Sequence, residues 1–158
     1  MIRVLFLAAV LTISAAQSAI ALSCLRPDAV RLFEYVRDAD EPFYMVRGRI
    51  EITGPVSEPI QNSDKRAPTP ARLVGIALGK DSFSSPFDRA VTIEAYCLGP
   101  WCGSAETEDV EMFFGVEIRD DELFVRIGPC GGDVVRWDRD GERRLLNCYR
   151  DGQCVSGQ

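Results

Sequence analysis

Six cysteines constrain this chain more than any other feature: Cys24, Cys97, Cys102, Cys130, Cys148 and Cys154. All follow an N-terminal run built like an export signal. Arg3 supplies the positive start, an apolar stretch runs from Val4 to Ile13, and Ala19-Ile20-Ala21 offers a small-x-small cleavage pattern. The apolar stretch is shorter than the roughly 20 residues a spanning helix needs, and no second candidate follows. Residues 1–21 are therefore expected to be a signal peptide and residues 22–158 a single domain, periplasmic or secreted. An even cysteine count in an oxidising compartment implies up to three disulfides, with the connectivity open. A metal role is poorly supplied. The chain has no histidine and lacks the paired Cys-x-x-Cys knuckles of a four-cysteine zinc site.

Charge and residue types narrow the function classes. A net charge of -6 disfavours a phosphate backbone, so nucleic acid is not an expected partner. The missing histidine removes Ser-His-Asp and Cys-His machinery. The acidic cluster Glu106, Glu108, Asp109 and Glu111 lacks the Asp-x-Asp-x-Asp-Gly order of a calcium loop and reads as a solvated face. No catalytic group, metal or cofactor is expected.

Hydrophobic patterning points to a mainly β fold. Residues 27–37 have helical spacing behind Pro27, and residues 140–149 suit a closing helix. Extended patterns occupy 43–52, 71–78, 90–96, 110–118 and 123–127, with Gly48 as a bend or bulge in the first. Arg119-Asp120-Asp121-Glu122 reads as a tight hairpin turn. Val134, Val135 and Trp137 could add a short extended piece. Residues 54–70, with Pro55, Pro59, Pro68 and Pro70, read as a long exposed loop. The expected architecture is a five-stranded, OB-like Greek-key barrel with small flanking helices, stapled by disulfides.

Two patches stand out. In Cys97-Leu98-Gly99-Pro100-Trp101-Cys102-Gly103, a redox pair would want two intervening residues, so both sulfurs could sit near one helix N-terminus. Four intervening residues favour a disulfide-pinned loop instead. Pro129-Cys130-Gly131-Gly132 reads as a strand exit with a sharp reversal. Cys148 and Cys154 flank a turn-like segment and could bridge locally or reach back to the barrel.

The Cys-x-x-Pro opening at Cys24 is followed by a strand with Val46-Arg47-Gly48-Arg49-Ile50, a strand ending at Cys97, the Cys102-Gly103 pair, a hairpin, and Cys130. This order resembles the netrin-like modules, including the tissue inhibitors of metalloproteinases, over most of residues 24–131. The chain also resembles exported bacterial proteins that share the two Gly- and Cys-rich patches, a likeness that carries no activity with it. The netrin-like resemblance implies a disulfide-tethered OB barrel in which Cys24 bonds to Cys97, Cys102 or Cys130. It further implies an inhibitor ridge made of Cys24, Leu25, Arg26 and Pro27 with Gly99, Pro100 and Trp101, the Cys24 amine reaching a target's zinc. The inhibitors carry a second cysteine where this chain has Arg26. A cut after Ala21 leaves Leu22-Ser23 ahead of Cys24, whereas a cut after Ser23 exposes it. The expected function is a non-enzymatic binding module with a protein partner. A thiol-disulfide exchanger using Cys97 and Cys102, or a structural envelope protein, are the alternatives.

Overall fold

The computed structural model describes residues 23–105 and 109–157. The expected leader over residues 1–21, and Glu106 and Glu108 of the acidic cluster, lie outside the described residues.

Among the described residues, ten elements follow in order: α1 (Ala29–Asp38), β1 (Phe43–Ile52), β2 (Ala67–Leu78), β3 (Phe83–Ala95), β4 (Cys97–Leu98), β5 (Trp101–Cys102), β6 (Met112–Arg119), β7 (Glu122–Ile127), β8 (Val134–Arg136) and α2 (Arg139–Asp151). Strands β1, β2, β3, β7 and β6 pair in that order, and β1 pairs again with β6 to close the ring. All contacts in the ring are antiparallel except β3 with β7, where Thr92 lies beside Phe124 and Ala95 beside Ile127. This is a closed five-stranded Greek-key barrel of OB-like topology. β8 adds to β6, and β4 and β5 form a separate small hairpin.

Two cores explain the burial patterns. Inside the barrel, Val46, Leu73, Ile93, Phe114, Val116 and Val125 are among the enclosed side chains. A second core lies between the outer wall and the helices, with Val30, Leu32, Phe33, Met45, Phe113 and Leu145. Successive strand residues face opposite ways, so Phe113 and Phe114 enter different cores and both are fully buried. β6 consequently reads as a near-continuous apolar run.

Local chemistry sets the element ends. Asp28 caps α1 by accepting from the backbone N–H groups of Val30 and Arg31, so the helix begins two residues after Pro27. The β6–β7 turn places Asp120 and Asp121 at φ 51° and 65°, the left-handed pair that two-residue hairpins require and Asp tolerates.

β2 and β3 begin earlier than patterning indicated, at Ala67 and Phe83. Pro68 and Pro70 stand inside β2 because this end pairs with β3 alone; register with β1 starts at Ala71. The open side needs no N–H from either proline, and the Pro70 carbonyl still accepts from Thr53 N–H at 3.0 Å. Gly48 is not a bulge. It lies opposite Gly75 in unbroken register, and a Cβ at Gly48 would lie 2.3 Å from the Val74 carbonyl oxygen. Glycine is there for close approach of two backbones.

Candidate binding surface

The cysteines pair as Cys24–Cys130, Cys97–Cys102 and Cys148–Cys154. The first joins the segment before α1 to the loop after β7, across 106 positions of sequence. The second links directly opposed residues of the β4–β5 hairpin. The third bridges the last turn of α2 to the residue two beyond its cap, Gly152.

The first bridge forms part of the wall of one groove, which the β4–β5 hairpin flanks through Leu98. Its volume is about 410 Å³, and its wall includes Cys24, Leu25, Pro27, Tyr35, Leu98 and Val134. Leu25 is 78% exposed, Leu98 46% and Tyr35 45%. The hairpin beside it is held from two sides. Gly103 N–H donates to the Tyr96 carbonyl, Tyr96 N–H to the Ile127 carbonyl, and Asn62 N–H to the Gly99 carbonyl at the tip.

Of the expected ridge, the structure brings Cys24, Leu25, Arg26 and Pro27 together on this groove. Gly99, Pro100 and Trp101 belong to the same hairpin but are not part of the groove wall; the hairpin contributes Leu98 instead. Leu98 lies opposite Trp101, so the two share the hairpin face that the disulfide does not occupy. Sequence reasoning singled out the turn and passed over Leu98. The signal was available: a leucine in a two-residue strand between a bridged cysteine and a turn has little core to enter.

A charged cleft adjoins the groove, and Tyr35 and Gly132 border both. Along the outer face of β3, β7 and β6 runs an alternating ion-pair chain. Arg66 pairs with Glu94, Arg119 with Glu94 at 3.3 Å and Glu117 at 2.9 Å, and Arg126 with Glu117 at 3.7 Å and Asp133 at 2.9 Å. Strand register puts Glu94 beside Arg126 and Glu117 beside Phe124. Gly132 turns the chain back at φ 71°, and Asp133 then folds onto Arg126 through backbone and side chain. The Arg119 guanidinium stacks 4.2 Å from the Phe124 ring centroid, and Arg126 lies 5.4 Å from that of Tyr35.

The carboxylates of this chain are buried: Glu94 is 9% exposed, Glu117 6% and Asp133 4%. Their acidities diverge with their partners. Burial would raise the pKa of Glu94, but hydrogen bonds from Arg119 and Arg66 outweigh it and hold the group below its ordinary value. At Asp133 burial outweighs Arg126 and raises the pKa. Burial also raises the Tyr96 hydroxyl, with Asp133 adding and Arg66 opposing.

Asp109 pairs with Arg49 at 3.0 Å and Glu111 with Arg47 at 3.1 Å, so this part of the acidic cluster is engaged in ion pairs. Glu34, Cys148 and Cys154 converge closely enough to suit a metal, but the sulfurs are bonded to each other and are not thiolate ligands. Among the described residues no helix is long and apolar enough to cross a membrane.

No protein-family model, curated protein or solved structure matches this chain.

Proposed function

We propose that this chain is an exported, non-enzymatic binding module whose partner is a protein, held at the groove between the residue 24–27 segment and the β4–β5 hairpin. The observation that carries the reading is exposed apolar surface on a covalently fixed frame. Leu25, Leu98 and Tyr35 stand in solvent around a groove walled in part by the Cys24–Cys130 bridge, and Leu98 comes from the hairpin that Cys97–Cys102 closes. Rigid apolar anchors in a concave site are what protein interfaces use, because ordering costs are met before binding. Full pairing of the six cysteines suits a periplasmic or secreted location.

A photo-crosslinking amino acid at Leu25 or Leu98, in the exporting cell, tests this. The control is Val74, an exposed apolar residue on β2. Discrete protein adducts from positions 25 and 98 but not 74 support the reading. No protein adducts at any position would favour a structural envelope role.

The narrower reading, inhibition of a metalloprotease through the Cys24 amine, draws support from the bridge that fixes Cys24 on the groove. It requires export processing between Ser23 and Cys24. Intact mass of the exported protein tests it: a start at Cys24 with a free amine keeps it, and a start at Leu22 ends it. The thiol-exchange alternative has less behind it. Cys97 and Cys102 oppose each other in strand register, where neither gains the helix N-terminus that acidifies an exchanging thiol. Free thiols at Cys97 and Cys102 in the exported protein would revive it.

A further inference from the structure

The charged cleft is a second site with its own chemistry. It encloses about 570 Å³ among Tyr35, Asp64, Arg66, Tyr96, Arg126 and Asp133, within the roughly 300–1,000 Å³ usual for small-molecule sites. Its origin needs explaining, because buried ion pairs are poor stabilisers. Apolar residues of similar volume often hold a fold as well or better. Three carboxylates at or below 9% exposure, each on at least one arginine, form an expensive arrangement for a barrel's outer face.

Charge balance selects among ligands. The wall carries Arg66 and Arg126 against Asp64 and Asp133, so it is neutral. An anion placed on the arginines would meet both aspartates, and a cation on the aspartates would meet both arginines. An apolar ligand would desolvate all four. A neutral ligand rich in both donors and acceptors loses nothing.

The wall also keeps unused capacity of both kinds. Among the described residues Arg66 donates only through Nη1, to Glu94, leaving Nε and Nη2. Arg126 uses Nε and Nη2 on Asp133 and Tyr35, leaving Nη1. Asp64 is exposed and has no ion-pair partner among the described residues. The Tyr96 hydroxyl, whose ring lies against Gly128, has no hydrogen-bond partner among them either. Each ligand hydroxyl offers one donor and two lone pairs, which matches this mixed set. The wall groups come from α1, the β1–β2 loop, the end of β3, β7 and the loop after it, so they surround a three-dimensional ligand. A flat heterocycle, with its polar edge in one plane, would reach few of them. The Tyr35 and Tyr96 rings add apolar wall suited to the C–H face of a sugar ring.

We propose that this cleft binds a neutral saccharide of one or two pyranose rings, with Arg66, Arg126 and Asp64 taking hydroxyls against the tyrosine wall. The pre-set ion pairs hold the guanidiniums in place, so binding orders little of the protein.

The test is a two-dimensional amide NMR titration of the exported protein with neutral gluco-, manno-, galacto- and N-acetylated mono- and disaccharides. A uronic acid and an amino sugar serve as charged probes. Expected are saturable shifts at residues 64, 66, 96, 126 and 133 for at least one neutral sugar. Their affinity should hold within about twofold from about 50 to about 500 mM salt, since screening acts on charged ligands. Asp64→Ala and Tyr96→Phe should each weaken binding about tenfold, the loss of one good hydrogen bond, with melting unchanged. Silence of these residues to every neutral sugar overturns the proposal. So does a response confined to the charged probes, or affinity that neither substitution changes.

Discussion

The three bridges should differ in what they contribute, and the difference follows from connectivity. In the chain-entropy account, a crosslink stabilises by limiting the unfolded chain, more for longer loops. Cys24–Cys130 spans 106 positions, Cys97–Cys102 spans 5 and Cys148–Cys154 spans 6. These separations convert to a ceiling of about 5 kcal/mol for the first and about 2 kcal/mol for each of the others. Releasing Cys24 also frees residues 23–27 in the native state, up to Asp28, which Arg144 and Gly157 N–H still hold at 2.8 and 2.9 Å. That freedom offsets part of the loss, so Cys24→Ser with Cys130→Ser should cost about 3–5 kcal/mol. For a domain of this size, about 3–4 °C of melting temperature goes with each kcal/mol. The long bridge should then lower the midpoint by about 9–20 °C and either short bridge by about 6–8 °C. Calorimetry of the three double-serine variants under one buffer and scan rate reads this directly. Equal depressions, or a larger one from Cys97–Cys102, would refute the argument.

Asp28 should make stability depend on acid. Burial would raise its pKa, but bonds from Gly157 N–H, the Arg144 side chain and Arg31 N–H together lower it. A carboxylate with a lowered folded pKa stabilises fully above its unfolded value near 3.8, and that contribution is lost as pH falls through the folded value. Asp28→Asn keeps a capping oxygen but gives up the charged bond to Arg144, and should cost about 1–3 kcal/mol at neutral pH. The gap to the native protein should close in acid; a gap constant across the titration would show the charge is idle. Gly48→Ala should be far worse than Gly115→Ala. The first sets a Cβ 2.3 Å from a backbone oxygen, the second 2.9 Å from the Val36 methyl, which can move. Expected costs are about 3 kcal/mol or more against about 1 kcal/mol in urea unfolding. Pro68→Ala should cost no more than about 1 kcal/mol, the freedom returned to the unfolded chain, because the residue is exposed on the unpaired side of β2. A larger loss would mean that side is in use.

The barrel was legible because its strands alternate. β1 matches the pattern over 43–52 to the residue, and the Asp120-Asp121 turn follows from two residues that tolerate positive φ. What was hidden came from pairing. Pro68 and Pro70 argue for a loop until β1 is known to end at Ile52, opposite Ala71. The start of β3, Phe83-Ser84-Ser85-Pro86, lacks alternation, and the opposing strand alone makes it extended. The ion-pair chain was invisible for the same reason: Arg66, Glu94, Glu117 and Asp133 lie far apart in sequence and meet through the pairing of β2, β3, β7 and β6 and the turn after β7. Leu25 was legible as a candidate, since it sits in the Cys24 segment, while Leu98 took its meaning from the hairpin geometry.

The placement of the bridges ties these points together. Residues 23–27 lie outside any helix or strand, and Leu25, at 78% exposure, gains almost nothing from burial. Neither backbone ladder nor apolar packing can hold such a segment, since both act through groups removed from water. A covalent bond to Cys130 can. The β4–β5 hairpin is in the same position: two-residue strands form too few ladder bonds to persist alone, and Cys97–Cys102 locks them. Disulfides thus stand where the groove's edges leave the core, which lets Leu25 and Leu98 face solvent in fixed positions. If that is their purpose, loss of the Cys97–Cys102 bridge should abolish the crosslinking adducts at position 98 while the barrel stays folded, a separation of surface from stability that a purely stabilising staple would not give.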